Sequence, residues 1–245
     1  MREWPRVLPV VRAAGIVLTM ETAMRTCQAF SDLSNKDAPV RGFLYPSTNP
    51  GANCLILTHG AGANCESPLL TGLADGFASE GWTVLRCDLP FRQLRPHGPP
   101  PRGSAERDQA GLREAVAAMR RLSTGPVFLG GHSYGGRQAS MLAAAEPELV
   151  ESLLLLSYPL HPPKKPAEMR TKHFPSLQTP ALFVHGTRDG FGTMSEMESA
   201  LRMTPARTEL LPIAGAGHEL MAKANREDFI EQVTSRFSAF VGAIG

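Results

Sequence analysis

Neither sign of charge dominates this chain: 25 Lys and Arg stand against 23 Asp and Glu, a formal net charge of +2. That near-balance gives no whole-chain case for nucleic acid or an acidic membrane as partner. Long apolar runs are missing too, and none approaches the roughly 18 residues that cross a bilayer. Cysteine is sparse. Cys27, Cys54, Cys65 and Cys87 show no tight metal-ligand spacing. Their even number would allow two disulfides, but Cys54 and Cys87 sit in apolar runs that read as buried strands, so ordinary reduced thiols are expected. No metal or organic cofactor is expected, and the expected location is the cytoplasm. A leader is only faintly outlined. Val7 to Leu18 is apolar after Arg2 and Arg6, yet Arg12 interrupts it, Pro9 breaks it, and no small-residue cleavage site follows. Residues 1–24 therefore read as an extension that is dispensable or disordered, with Met20 and Met24 as alternative starts. Residues 25–245 read as a single domain.

What the chain does have is alternation. CLILT (54–58), WTVLRC (82–87), PVFLG (126–130), SLLLLS (152–157), ALFVH (181–185) and TELLPI (208–213) read as strands. Between them lie helical patterns at Ser67–Ser79, Ala105–Leu122, the stretch up to Ala145, and Met194–Met203. Arg226–Val241 closes the chain as a helix. Such alternation predicts parallel βαβ units, and continuously apolar strands predict burial on both faces. Residues 25–31 and 40–45 add two antiparallel strands. The Pro-rich stretch 88–104 reads as a loop inside the domain.

One pentapeptide carries chemistry. Gly131-His132-Ser133-Tyr134-Gly135 is a G-x-S-x-G match lying between a strand and a small-residue helix. That setting is what a nucleophile elbow requires: a strained turn that lifts a serine above the sheet. His132 reads as packing, its side chain turned away from Ser133. A serine hydroxyl needs a base, and the base needs an acid to orient it. Asp189 lies just past the strand ALFVH, and His218 lies in the small-residue loop after the last strand. Both positions fall at the sheet edge where ligands gather, in the order serine, acid, histidine. Glu196 and Glu198 are the fallback acids, within the next helix. The loop LTHGAGAN (57–64) follows the first buried strand, and the backbone N–H groups of Ala61 and Tyr134 are the candidate oxyanion donors. His59 reads as a structural histidine holding that loop.

These features predict an α/β-hydrolase fold: a mostly parallel central sheet with helices on both faces. The short stretch between Ser157 and Ala181 leaves no room for a large cap, which predicts a shallow, open pocket. The expected function is a serine hydrolase that cleaves a small ester or thioester through an acyl-enzyme. Its partner is a small acyl substrate, and the oligomeric state is left open. Arg92, Tyr158 and His161 are candidate substrate-binding residues. The basic loop 88–107, with Arg92, Arg95, Arg102 and Arg107, either attracts a carboxylate or phosphate or is simply solvated. Tyr158 and His161 either line the pocket or shape a Pro-rich turn. A hydrolase-like scaffold that binds partners without turnover is the alternative function. Peptide and carbon–carbon cleavage also stay open.

LTHGAGAN (57–64), LRCDLPFR (85–92), GGHSYGGR (130–137), SYPLHPP (157–163) and FVHGTRD (183–189) together resemble the dienelactone-hydrolase-related α/β-hydrolases of the KANL/Tex type, the testis-expressed and chromatin-complex hydrolase-like proteins. The resemblance runs from about Gly42 to the C-terminus. It implies a hydrolase by fold and triad, with poorly defined substrates, and some relatives are similar to non-catalytic members of large complexes. Dienelactone hydrolases use a cysteine nucleophile. Ser133 stands at that position here, so their substrate is not carried over.

Overall fold

The computed structural model describes residues 27–243. The 1–24 extension lies outside the described residues. Eight strands form one sheet: β1 (Gln28–Asp32), β2 (Val40–Tyr45), β3 (Cys54–Thr58), β4 (Thr83–Cys87), β5 (Val127–His132), β6 (Ser152–Leu156), β7 (Ala181–Gly186) and β8 (Thr208–Ile213). Their spatial order is β1-β2-β4-β3-β5-β6-β7-β8. The first two pairings, β1 with β2 and β2 with β4, are antiparallel, and the rest are parallel. This is the α/β-hydrolase architecture.

Strand periodicity divides the core in two, because successive side chains point to opposite faces. Cys54 and Ile56 of β3, with Leu153 and Leu155 of β6, face one layer, and Leu55, Leu57, Leu154 and Leu156 face the other. The helices α3 (Ala105–Leu122), α4 (Tyr134–Ala145) and α5 (Met194–Leu201) cover the first face through Leu112, Val116, Leu142 and Met197. The helices α1 (Pro68–Ser79) and α6 (Arg226–Gly242) cover the second through Leu70, Phe77, Val233 and Phe237.

Two local readings change. The loop 88–104 contains a short helix, α2 (Pro90–Leu94). Pro90 opens it with a preset φ, and the Phe91 N–H is capped by Asp108 Oδ1 at 3.0 Å, a contact made across the chain that no local pattern reveals. Strand β5 also continues two residues beyond Gly130, because Gly131 and His132 still pair with Leu155 and Leu156 of β6. No helical cap separates β6 from β7; one 3-10 turn, Phe174–Ser176, lies between them. Among the described residues no helix is long and apolar enough to cross a membrane.

Candidate active site

The carboxyl ends of β3, β5, β6, β7 and β8 deliver five segments to one edge of the sheet, the usual place for ligands in such folds. From β5 the chain turns sharply into α4. Ser133 stands at the turn with φ 50° and ψ −112°. A non-glycine residue held there costs on the order of 1–3 kcal/mol, which the surrounding packing must offset. The glycines permit the turn: a Cβ on Gly131 would lie 2.5 Å from the Gly136 nitrogen, and one on Gly135 would lie 2.6 Å from the His59 carbonyl.

The loop after β8 places His218 Nε2 at 2.8 Å from Ser133 Oγ. The loop after β7 places Asp189 Oδ2 at 2.8 Å from His218 Nδ1. Burial alone would raise the Asp189 pKa, but hydrogen bonds from His218 and the Phe191 N–H outweigh it and hold the carboxyl below its ordinary value. Asp189 is therefore a carboxylate and accepts only. Nδ1 must carry the imidazole proton, which leaves the Nε2 lone pair facing the serine hydroxyl. The arrangement can take a proton from Ser133 and stabilise the imidazolium that results.

Several groups hold His218 that the sequence did not reveal. His132 Nε2 lies 3.0 Å from the His218 carbonyl, and Ser157 Oγ donates to the same oxygen at 2.7 Å. Burial lowers the His132 pKa, so its ring is neutral near pH 7 and donates from Nε2. Phe191 stacks on the His218 ring at 4.1 Å. Ser157 carried one usable signal, its place at the end of β6 on the same sheet edge. Phe191 carried none.

The loop after β3 packs against the elbow: a Cβ on Gly60 would lie 3.4 Å from the Ser133 Cβ. His59 is fully buried, and its Nε2 accepts from the Leu89 N–H at 3.1 Å. Its Nδ1–H therefore donates to the Gly60 carbonyl at 2.8 Å, which also takes the Ala63 N–H at 3.2 Å. Burial pushes the His59 pKa down to about 4 and keeps the ring neutral. In a trans peptide N–H and C=O point oppositely, so this grip turns the Ala61 N–H away from His59. The Tyr134 N–H lies in the first turn of α4, where amides have no partner within the helix. Asp108 Oδ2 receives the Tyr134 hydroxyl at 2.7 Å and fixes that residue.

The three candidate substrate-binding residues are all buried, and each meets at least one of the protein's own carbonyls. Tyr158 is fully buried, packs on Phe174 and Phe183, and donates its hydroxyl to the Arg170 carbonyl at 2.7 Å, which fits the second of its two readings, the shaping of the turn. His161 is buried as well, with Nδ1 on the Pro162 carbonyl at 2.8 Å and Nε2 3.5 Å from Glu196. Arg92 is only 4% exposed. Its guanidinium donates to the carbonyls of Ala61, Ala63, Arg95 and Gly98. It borders a cavity of about 780 Å³ with Gly62, Asn64, His97 and Arg41, yet its donors are spent on the protein's own loops. The fallback acid Glu196 belongs to the capping box of α5 with Thr193. All four cysteines are free thiols. Among the described residues no group of His, Cys, Asp and Glu side chains could hold a metal ion.

Known proteins share this architecture. A dienelactone hydrolase from Anabaena variabilis superposes with a TM-score of 0.69 at 19% identity, over 87% of this chain and 98% of its own. Est1E from Butyrivibrio proteoclasticus superposes with a TM-score of 0.69 at 15% identity, over 87% and 99%. A Haemophilus influenzae protein described as an esterase/lipase is 34% identical over 102 residues, 42% of this chain and 33% of that protein. The chain thus spans about a third of that relative's length. The model of the alpha/beta hydrolase domain family matches residues 51–242. The chain belongs to the alpha/beta hydrolase domain family.

Proposed function

We propose that this protein is a serine hydrolase acting on small carboxylic esters or thioesters, with Ser133 as nucleophile, His218 as general base and acid, and Asp189 as the orienting acid. The observation that carries the reading is the unbroken chain from Asp189 Oδ2 through both nitrogens of His218 to Ser133 Oγ, each link 2.8 Å. Ser133 Oγ attacks the substrate carbonyl while His218 Nε2 takes its proton. The Ala61 and Tyr134 N–H groups bind the oxyanion of the tetrahedral intermediate; one such donor is typically worth about 100- to 1,000-fold in rate. His218 then gives the proton to the departing alcohol or thiol. Water, deprotonated by His218, attacks the acyl-enzyme, and the carboxylic acid leaves as Ser133 regains its proton. Neither metal nor organic cofactor enters these steps. A small acyl molecule is the partner, with no nucleic acid or membrane required, and the reduced thiols fit a cytoplasmic setting.

The test is covalent labelling by a fluorophosphonate, comparing wild type with Ser133→Ala and His218→Ala. Labelling of wild type that both substitutions abolish supports the reading. Folded wild type that does not label would overturn it and point to a binding scaffold.

A further inference from the structure

A fully buried histidine stands beside the triad acid and takes no part in the proposed steps. His185 is the last residue but one of β7, where it pairs with Pro212 of β8, so the sheet fixes its backbone. Its Nε2 lies 2.8 Å from the Gly192 carbonyl. A carbonyl only accepts, so Nε2 carries a proton and donates it. Its Nδ1 lies 3.9 Å from Asp189 Oδ2, beyond hydrogen-bond reach, and has no hydrogen-bond partner among the described residues. The hydrogen bond of this ring therefore goes to Gly192 and not to the acid it lies beside.

Residues 187–192 carry two groups that meet His218: Asp189 through Oδ2 at 2.8 Å and Phe191 through its stacked ring at 4.1 Å. The first half of this segment is anchored by its own backbone. The Thr187 and Arg188 N–H groups donate to the Ile213 and Ala216 carbonyls at 3.1 and 2.9 Å, and the Asp189 N–H donates to the Gly186 carbonyl at 3.0 Å. The second half is Gly190-Phe191-Gly192. Glycine loses more conformational freedom on ordering than any other residue, so this half needs an anchor. A Cβ on Gly190 would meet nothing within 4 Å, which leaves the chain open there. Among the described residues two hydrogen bonds from outside the segment hold this half: the His161 N–H on the Phe191 carbonyl at 3.2 Å, and the shorter one from His185 to Gly192. The Phe191 N–H in turn donates to Asp189 Oδ1 at 2.8 Å, so the place of Phe191 sets the turn of the carboxylate.

We propose that His185 is a positioning residue for the reaction: by holding the Gly192 carbonyl it fixes the Phe191 ring and the Asp189 carboxylate against His218. This role rests on the hydrolase reading for its effect on rate, but its geometric part can be observed without turnover.

The experiment measures kcat and KM on an aryl ester for wild type, His185→Leu, His185→Gln, Asp189→Asn, and the double variant His185→Leu with Asp189→Asn. Leucine fills much of the same space without a donor, and it should lower kcat roughly 10- to 100-fold with KM nearly unchanged, the scale on which a misplaced group costs rate. His185→Gln keeps an N–H near the Nε2 position and should regain most of that loss. In the Asp189→Asn background the same leucine should cost less than about threefold, because residues that act as a unit are not additive. A loss that appears in KM, that glutamine does not rescue, or that is as large in the Asp189→Asn background overturns the proposal, and so does an unchanged kcat. Should His185→Leu fail to fold, His185→Asn replaces it, since its shorter amide stops short of the Gly192 carbonyl. Wild type that neither hydrolyses esters nor takes a phosphonate label fails the hydrolase reading alone. The positioning is then read from the downfield proton resonance of the His218 Nδ1–H, identified by its loss in His218→Ala. A resonance that shifts or vanishes in His185→Leu and returns in His185→Gln supports the proposal. No such resonance in wild type, or one unmoved by His185→Leu, overturns it.

Discussion

His132 Nε2 hydrogen-bonds the backbone carbonyl of His218 at 3.0 Å, so the residue before the elbow serine positions the histidine that faces that serine. The contact joins residues 86 apart in the chain. His132→Ala should leave KM nearly unchanged and lower kcat roughly 10- to 100-fold, the scale on which a misplaced base costs rate. Steady-state kinetics on an aryl ester checks the split. A KM effect with kcat intact would assign His132 to substrate binding instead.

Asp189→Asn replaces an acceptor with a group that also donates. The His218 Nδ1 then takes up the lone pair, and Nε2–H faces Ser133 Oγ. The expected loss in kcat is roughly 10³- to 10⁴-fold, on the pattern of triad aspartates. Phosphonate labelling should slow in parallel while near-ultraviolet circular dichroism stays native. A drop under tenfold would show that another acid orients His218.

Arg92→Ala removes the donors to four carbonyls and detaches the loop holding Ala61 from the Pro-rich loop. Each buried carbonyl left unsatisfied costs about 1–3 kcal/mol. Urea denaturation should show a loss of at least about 2 kcal/mol. An unchanged midpoint would mean that solvent replaces the guanidinium freely.

The buried histidines set an acid limit on stability. His59 and His173 are each pushed down to about 4 by burial, against an ordinary value of 6.5. Between those values the unfolded chain binds more protons than the folded one, so stability rises with pH. It is complete above about 6.5 and falls as pH drops towards about 4. His132 acts in the same direction, while Asp108, raised by burial, opposes it. Asp189, held low, loses its contribution only at still lower pH. Thermal melting at pH 7.5, 6.0, 5.0 and 4.5 should show Tm falling steadily below 6.5. A flat profile to pH 4.5 would show that these rings protonate in place.

The sequence by itself determined the strand and helix order, the elbow at Ser133 and the positions of Asp189 and His218 on one sheet edge. Those features are local. Apolar runs, glycines at a strand-to-helix turn and the chain order of three residue types can be read within short windows, and the parallel topology then brings strand ends together. Helix α2 escaped because its cap, Asp108, acts from 17 residues away. Tertiary structure alone decided where side chains point. It sent the Tyr158 hydroxyl into the core, spent the Arg92 guanidinium on carbonyls, and set Phe191, Ser157 and His132 around His218. These contacts depend on three-dimensional packing, and neither residue type nor spacing encodes which partner a buried donor will find.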